Sequence, residues 1–300
     1  MNKSIFILLT LFLVSACSDV ADMANSEQQD STQTSVEPLD ATKGSSGYLL
    51  SAFYGLDGAF GLLSGFFICD GARGMDGMPV IFSHQLDIST IQAEDFEVAL
   101  ADGGAGHVTC ATPAPATDTG ELRTILLVGD FGSITNQPVT VSVGGNILSL
   151  DGDINFRGSS VDVIPLEQGP SLIYAEVVPE VEWELGKEAT RFRFGGGSGC
   201  PEETRQVVRV VWTGGVTKPG GDAIDEKERL AYNVKVDDGE GGLADVVPFA
   251  IGDLGDRDNN HELCLDVEGA PVSVQFPAGL VTDPRDDLNP ATTVQVAPAG

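Results

Sequence analysis

The chain has 300 residues, of which 45 are Asp or Glu and 16 are Lys or Arg, for a formal net charge of −29 and a pI near 4.1. An acidic balance of this size excludes nucleic acid as a partner, because phosphates need a basic face to neutralise them. The 42% hydrophobic content suffices to build cores, and three histidines leave little room for imidazole-based metal or acid–base chemistry.

At the N-terminus Lys3 precedes an apolar run from Ile5 to Val14. The run is shorter than the ~20 residues of a membrane-spanning helix and has the length of a secretory signal. It ends in Val14-Ser15-Ala16-Cys17, which resembles the bacterial lipobox. The resemblance implies that residues 1–16 are a signal peptide and that Cys17 becomes the lipidated N-terminus, anchored by more than one acyl chain. Ser18 stands where enterobacterial lipoproteins kept at the inner membrane carry Asp, so the implied address is the outer membrane, on its periplasmic face or at the cell surface. Residues 17–46 turn to Ser, Thr, Gln, Asp and Glu, the composition of a disordered tether. Such a tether would span about 30 Å.

Beyond residue 46 short runs of Val, Ile, Leu and Phe alternate with Gly, Pro, Asp and Asn, the pattern of many short strands. The longest helical stretch, around Ala223 to Tyr232, is short. Five strand candidates recur in one order. Gly47–Phe53 answers Pro170–Glu176, Pro79–Phe82 answers Val208–Trp212, and Phe96–Leu100 answers Tyr232–Val236. Ile125–Val128 after Glu121-Leu122 answers Cys264–Val267 after Glu262-Leu263, and Pro138–Val143 answers Pro271–Phe276. The reading is all-β, with two tandem sandwiches at residues 47–167 and 168–300.

The segment Met78–Val98 strengthens it. A strand ending in Phe82-Ser83 leads through Asp87, Ser89-Thr90 and Ile91 to a Phe96-Glu97-Val98 strand. This resembles the bacterial Ig-like domain of S-layer and adhesin proteins, with His84 where that family often has Glu. The second half resembles a fibronectin type III or Ig-like module more loosely, with Trp212 as core tryptophan and Tyr232 as the aromatic of the next strand. The resemblance implies scaffolds, and a scaffold assigns no activity.

With Cys17 lipidated, four cysteines remain in an oxidising compartment, and four allow three pairings. Each repeat holds one cysteine between its first two strands (Cys69, Cys200) and one in its later half (Cys110, Cys264), so the repeat predicts Cys69–Cys110 and Cys200–Cys264. The close Cys spacing of a zinc site is missing.

The densest polar stretch runs from Asp253 to Glu262. Asp256, Asp258 and Asn260 stand at alternate positions, the spacing of the first half of a calcium loop, with Glu262 or Asp266 to complete the shell. The competing reading is turn chemistry, in which Asp and Asn cap their own backbone. His261 and Val267 occupy the positions where an EF-hand needs Gly and Glu, so the stretch is no EF-hand. Asp151, Asp153 and Asn155 form a thinner version. His261-Glu262 lacks the second histidine of a zinc protease, Leu265 taking its place. Ser83 and His84, read as strand neighbours, would point to opposite faces and form no dyad. Trp183, flanked by Glu182 and Glu184, is either a glycan platform or a packed rim residue. The expected function is therefore a non-enzymatic envelope lipoprotein with an interaction surface for an envelope protein or glycan, stiffened by Ca²⁺ at Asp256, Asp258, Asn260 and Glu262. The alternative is a carbohydrate-active protein, either a glycan-binding module or a hydrolase using paired carboxylates.

Overall fold

A computed structural model describes residues 47–61, 68–190 and 196–298, which fall within one compact unit. The signal peptide, Cys17 and the tether lie outside the described residues. Among the described residues, fifteen strands account for nearly all the regular structure. The first seven are β1 (Leu49–Phe53), β2 (Asp76–Phe82), β3 (Phe96–Leu100), β4 (Ala105–Thr112), β5 (Thr124–Asp130), β6 (Pro138–Val143) and β7 (Ser160–Ile164). The rest are β8 (Leu172–Val177), β9 (Gln206–Trp212), β10 (Asn233–Asp237), β11 (Leu243–Val246), β12 (Ala250–Gly252), β13 (Asn260–Leu265), β14 (Ala270–Phe276) and β15 (Thr292–Ala297). The expected short helix is the single turn α1 (Glu226–Arg229). Asp225 caps it by accepting from the Lys227 amide, while Glu228 reaches back to the Asp225 amide.

The chain is all-β, as expected, and its two halves repeat one another in hydrogen-bonded neighbours. The first sheet runs β1-β2-β5-β4-β3-β6-β7 and closes through a parallel β1–β7 pair. The second runs β11-β10-β14-β15-β8-β9-β13-β12, with a parallel β15–β8 pair at the matching place. Each of the five sequence matches falls on strands in equivalent positions. The two-sandwich expectation needs refinement, because the first half is a closed seven-stranded barrel and the second one eight-stranded sheet.

The difference sits in one element. β4 is continuous, pairs with β3 at Ala105 and Gly106 and with β5 from His107 to Thr112, and has a register shift between Val108 and Cys110 in its ladder with β5. Its counterpart is divided into β11, on β10, and β12, on β13. Between them lies Pro248, which has no amide proton for a ladder and whose carbonyl accepts from Arg229.

Each half has its own core. In the first, Phe82 meets Phe156 edge-on at 5.0 Å and Phe96 at 6.4 Å. In the second, Trp212 is fully buried against Phe276 at 5.2 Å, and its indole N–H donates to the Tyr232 hydroxyl at 2.9 Å. Val178, Cys200, Val207 and Cys264 form a smaller third cluster. All seven residues of β9 are buried, including Arg209. One face, with Val208, Val210 and Trp212, lines the second core. Arg209 projects instead toward the β4–β5 loop of the first half.

Candidate functional site

The β4–β5 loop of the first half carries Asp118, Glu121 and Arg123, and the β12–β13 loop of the second carries Asp253, Asp256 and Asp258. The second loop is tight: Asp253 and Arg257 adopt φ of 59° and 72°, and Gly255 lies at 112°. The two loops meet, and the charged residues of both halves converge there.

Two guanidiniums organise the contact. Arg209, 2% exposed, donates to the carbonyls of Gly120 (3.1 Å) and Thr119 (2.9 Å) and to Glu262 Oε1 (3.0 Å), and approaches Glu176 Oε1 at 3.4 Å. Arg123, from the other half, donates to Glu176 Oε2 at 2.8 Å and to the Ser83 carbonyl at 3.1 Å, with its guanidinium 4.0 Å over the Tyr174 ring. Glu176 thus bridges a cation from each half. Burial pushes the Tyr174 phenol up to about 12. Asn259 adds a polar tie, donating to Thr124 Oγ1 at 3.2 Å and to the Trp212 carbonyl at 2.8 Å. Beside this polar junction is an apolar cavity of about 210 Å³, lined in part by Phe53, Pro79, Leu126, Gly214 and Asn259.

Next to Arg209 the acidic residues crowd together. One carboxylate oxygen each of Asp118, Glu121, Asp253 and Asp256 lies within 4.8 Å of the others, and the last three side chains are buried. Asp118 Oδ2 accepts from the Gly197 amide at 2.9 Å and from Lys187 Nζ at 3.2 Å, and Glu121 Oε2 accepts from the Asp118 amide at 3.0 Å. Among the described residues, Oδ2 of Asp253 and Oδ2 of Asp256 have no hydrogen-bond partner. Burial holds the Asp253 carboxyl well above the usual range, and the charges of Asp258, Glu121 and Asp256 add to the shift. Burial likewise raises Glu121 and Asp256. It lifts Glu262 to about 7 despite the neighbouring Arg209.

Of the four residues of the expected calcium loop, Asp256, Asp258 and Asn260 are linked in series, the Asp258 amide donating to Asp256 Oδ1 at 3.4 Å. Asp256 joins the cluster just described. Asp258 gives both oxygens to Asn260, accepting from its amide at 2.7 Å and its Nδ2 at 2.8 Å. Asn260 and Glu262 lie on β13, where Glu262 pairs with Arg209. The loop ends where β13 begins, so Asn260 and Glu262 continue the alternate spacing on one face of the strand. In the thinner version, Asp151 accepts from the Ser149 hydroxyl and the Asp153 amide, and Asn155 binds Asn146 and the Arg157 amide. This is turn capping.

The expectation for Ser83 and His84 is corrected. β2 ends at Phe82, the two residues sit in a bend, and Ser83 Oγ lies 2.9 Å from His84 Nδ1. The opposite-face rule applies only inside a strand. The Ser83 hydroxyl also accepts from the Tyr48 amide at 3.2 Å, which ties it to the start of β1. Trp183 packs against the third cluster and donates its indole N–H to the Val178 carbonyl at 2.9 Å, the packed-rim arrangement. Disulfides join Cys69 to Cys110 and Cys200 to Cys264.

No motif or spacing singles out Arg209, Arg123, Glu176, Asp118 or Glu121 as site residues. The usable signal was Arg209 itself, a lone charge inside Val207-Val208-Arg209-Val210-Val211-Trp212, where a strand buried on both faces must find a partner for it.

No protein-family model and no curated protein matches this chain. Among solved structures, the N-terminal part of the bacterial S-layer protein SbsC aligns with 84% of this chain and 44% of its own, at 10% identity and a TM-score of 0.27. Domains 1–6 of surface layer protein SbsC align with 84% of this chain and 26% of their own, at 11% identity and a TM-score of 0.29. The chain therefore spans less than half the length of these structures.

Proposed function

We propose that this chain is a non-enzymatic structural lipoprotein of the bacterial envelope, anchored through Cys17 at the outer membrane, in which two Ig-like units at 47–167 and 168–300 act as one stiff body. The observation that carries the stiffness is the Arg123–Glu176–Arg209 network, which joins the two halves through buried charge. A buried guanidinium stripped of its partners costs about 3–5 kcal/mol, so the halves resist separation far more than an exposed ion-pair contact would. The Ig-like assignment is supported by strand order. With β1 to β7 lettered A to G, the neighbours are A-B-E-D and C-F-G, as in a constant-type Ig domain. The anchor rests on the Val14–Cys17 signal.

Two measurements test the proposal. Spin labels at Glu97→Cys and Gln295→Cys, exposed on β3 and β15, report the distance between halves. A narrow distribution is expected, broadening in the Arg123→Met/Arg209→Met variant; a broad distribution in the otherwise native chain overturns the stiff body. Palmitate labelling with membrane fractionation should show a labelled membrane protein that becomes unlabelled and soluble in Cys17→Ser. An unlabelled, soluble native chain overturns the anchor.

A further inference from the structure

We propose that Asp118, Glu121, Asp253 and Asp256 form a calcium site at the junction of the two sheets, with ligands from both halves of the chain. The site stands apart from the lipid anchor, and neither test depends on the other.

The first argument is charge. Four carboxylates meet there, and among the described residues the basic groups nearby are committed elsewhere or only graze the cluster. Lys187 reaches Asp118 at the rim and is shared with Glu184. Arg209 directs its donors to Glu262, Glu176 and two carbonyls. Among the described residues no cationic side chain forms an ion pair with Glu121, Asp253 or Asp256, and burial makes their charged forms costly, a cost that a bound cation relieves.

The second argument is unmet coordination. Asp253 is 5% exposed and Asp256 3%, yet among the described residues Oδ2 of each has no hydrogen-bond donor. Buried carboxylate oxygens almost always find partners, and two beside two further carboxylates are lone pairs set for a metal. The backbone leaves room for them: a Cβ on Gly197 would fall 2.4 Å from Asp253 Oδ1, and one on Gly196 2.9 Å from Asp118 Oδ1.

The donor set selects the ion. It is all oxygen, which suits hard cations over zinc or copper. The four oxygens all lie within 4.8 Å of one another, close enough to share one such cation, and calcium accepts a crowded, irregular carboxylate shell, whereas magnesium demands a near-ideal octahedron and keeps several waters. Because Asp118 and Glu121 belong to one half and Asp253 and Asp256 to the other, binding fastens the halves together.

The test uses the full-length protein in detergent after chelator treatment, titrated with CaCl₂ by calorimetry and melted with and without the ion. One saturable Ca²⁺ per chain and a raised melting temperature are expected, and neither with MgCl₂ or NaCl at equal concentration. Asp253→Asn/Asp256→Asn should weaken binding at least 100-fold, while Asp238→Asn, in an exposed loop elsewhere, leaves it unchanged. If the double variant does not fold, Asp256→Asn carries the test, with an expected loss of at least 10-fold. Absence of saturable binding overturns the site, as does binding that survives these substitutions. Equal binding of Mg²⁺ overturns the assignment to calcium.

Discussion

His261 shows at the residue scale how burial turns an ordinary side chain into a pH-dependent one. It is fully buried on β13, and burial pulls its imidazole down to about 4. The Trp212 indole donates to the Tyr232 hydroxyl, which leaves Tyr232's own proton for His261 Nδ1 at 2.9 Å. The unfolded chain takes up a proton near the ordinary pKa of 6.5, whereas the folded chain does not until about 4. The histidine's contribution is therefore whole above the unfolded value and declines as pH falls toward the folded one. Glu262, next in the chain, works in the opposite direction. Raised to about 7 by burial, it binds a proton in the folded state first and favours the fold as pH falls. The two partly cancel in the native protein, so a difference measurement is needed. His261→Gln keeps an acceptor for Tyr232 and removes the titration. The stability advantage of the native chain over this variant is expected to shrink by about 2 kcal/mol between pH 7 and pH 5. Urea denaturation at the two pH values reads it, and an unchanged difference would mean that His261 titrates normally.

At the scale of elements, the β4–β5 loop is where the halves meet, and its geometry depends on one glycine. Gly120 has φ of 87°, and a Cβ there would fall 2.0 Å from Arg209 Nη1. Gly103 has nearly the same φ, 85°, with nothing around it. Gly103→Ala is expected to cost about 1–2 kcal/mol of backbone strain alone. Gly120→Ala adds the displacement of a buried guanidinium from its partners and is expected to cost about 3 kcal/mol or more. Chemical denaturation of both variants checks this, and equal losses would show that the Arg209 contact carries no weight. The same loop marks the limit of what the sequence made legible. Strand order was readable because apolar runs such as Phe96–Leu100 and Tyr232–Val236 each carry their own burial pattern, and comparing the halves fixed their correspondence. The cysteine pairs followed from that correspondence. The acidic cluster was half readable. Asp253 and Asp256 sit in an acid-rich stretch that stands out, whereas Asp118 and Glu121 lie more than 130 residues earlier in an unremarkable turn. Alternate spacing pointed to Asp258, Asn260 and Glu262, but Asn260 and Glu262 belong to the ladder with β9, where Glu262 pairs with Arg209, and Asp258 gives both its oxygens to Asn260. Local spacing describes ligands from one loop, and here the set is divided between two.

For the whole molecule, the net charge of −29 acquires a second meaning beside the exclusion of nucleic acid. The few basic residues are not spread evenly over the surface. Arg123 and Arg209 are almost wholly buried at the junction, and Lys187 lies at its rim. Excess carboxylates thus cover an exterior with little compensation, and their mutual repulsion works against the compact state. Salt acts differently on the two populations. The Debye length falls from about 30 Å at 0.01 M to about 3 Å at 1 M, so repulsion between exposed carboxylates is screened while the buried pairs of Arg209 are hardly touched. Raising NaCl from about 0.01 M to 0.5 M in the presence of chelator should therefore raise the melting temperature. Chelator keeps this effect separate from the junction site, whose response would saturate at one equivalent of Ca²⁺ whereas screening rises gradually with ionic strength. A melting temperature that falls with NaCl would mean that exposed ion pairs such as Arg205–Glu268 and Lys235–Asp245 contribute more than the repulsion around them. The low-salt protein would then owe more of its stability to surface pairs within the second half than it loses to carboxylate repulsion.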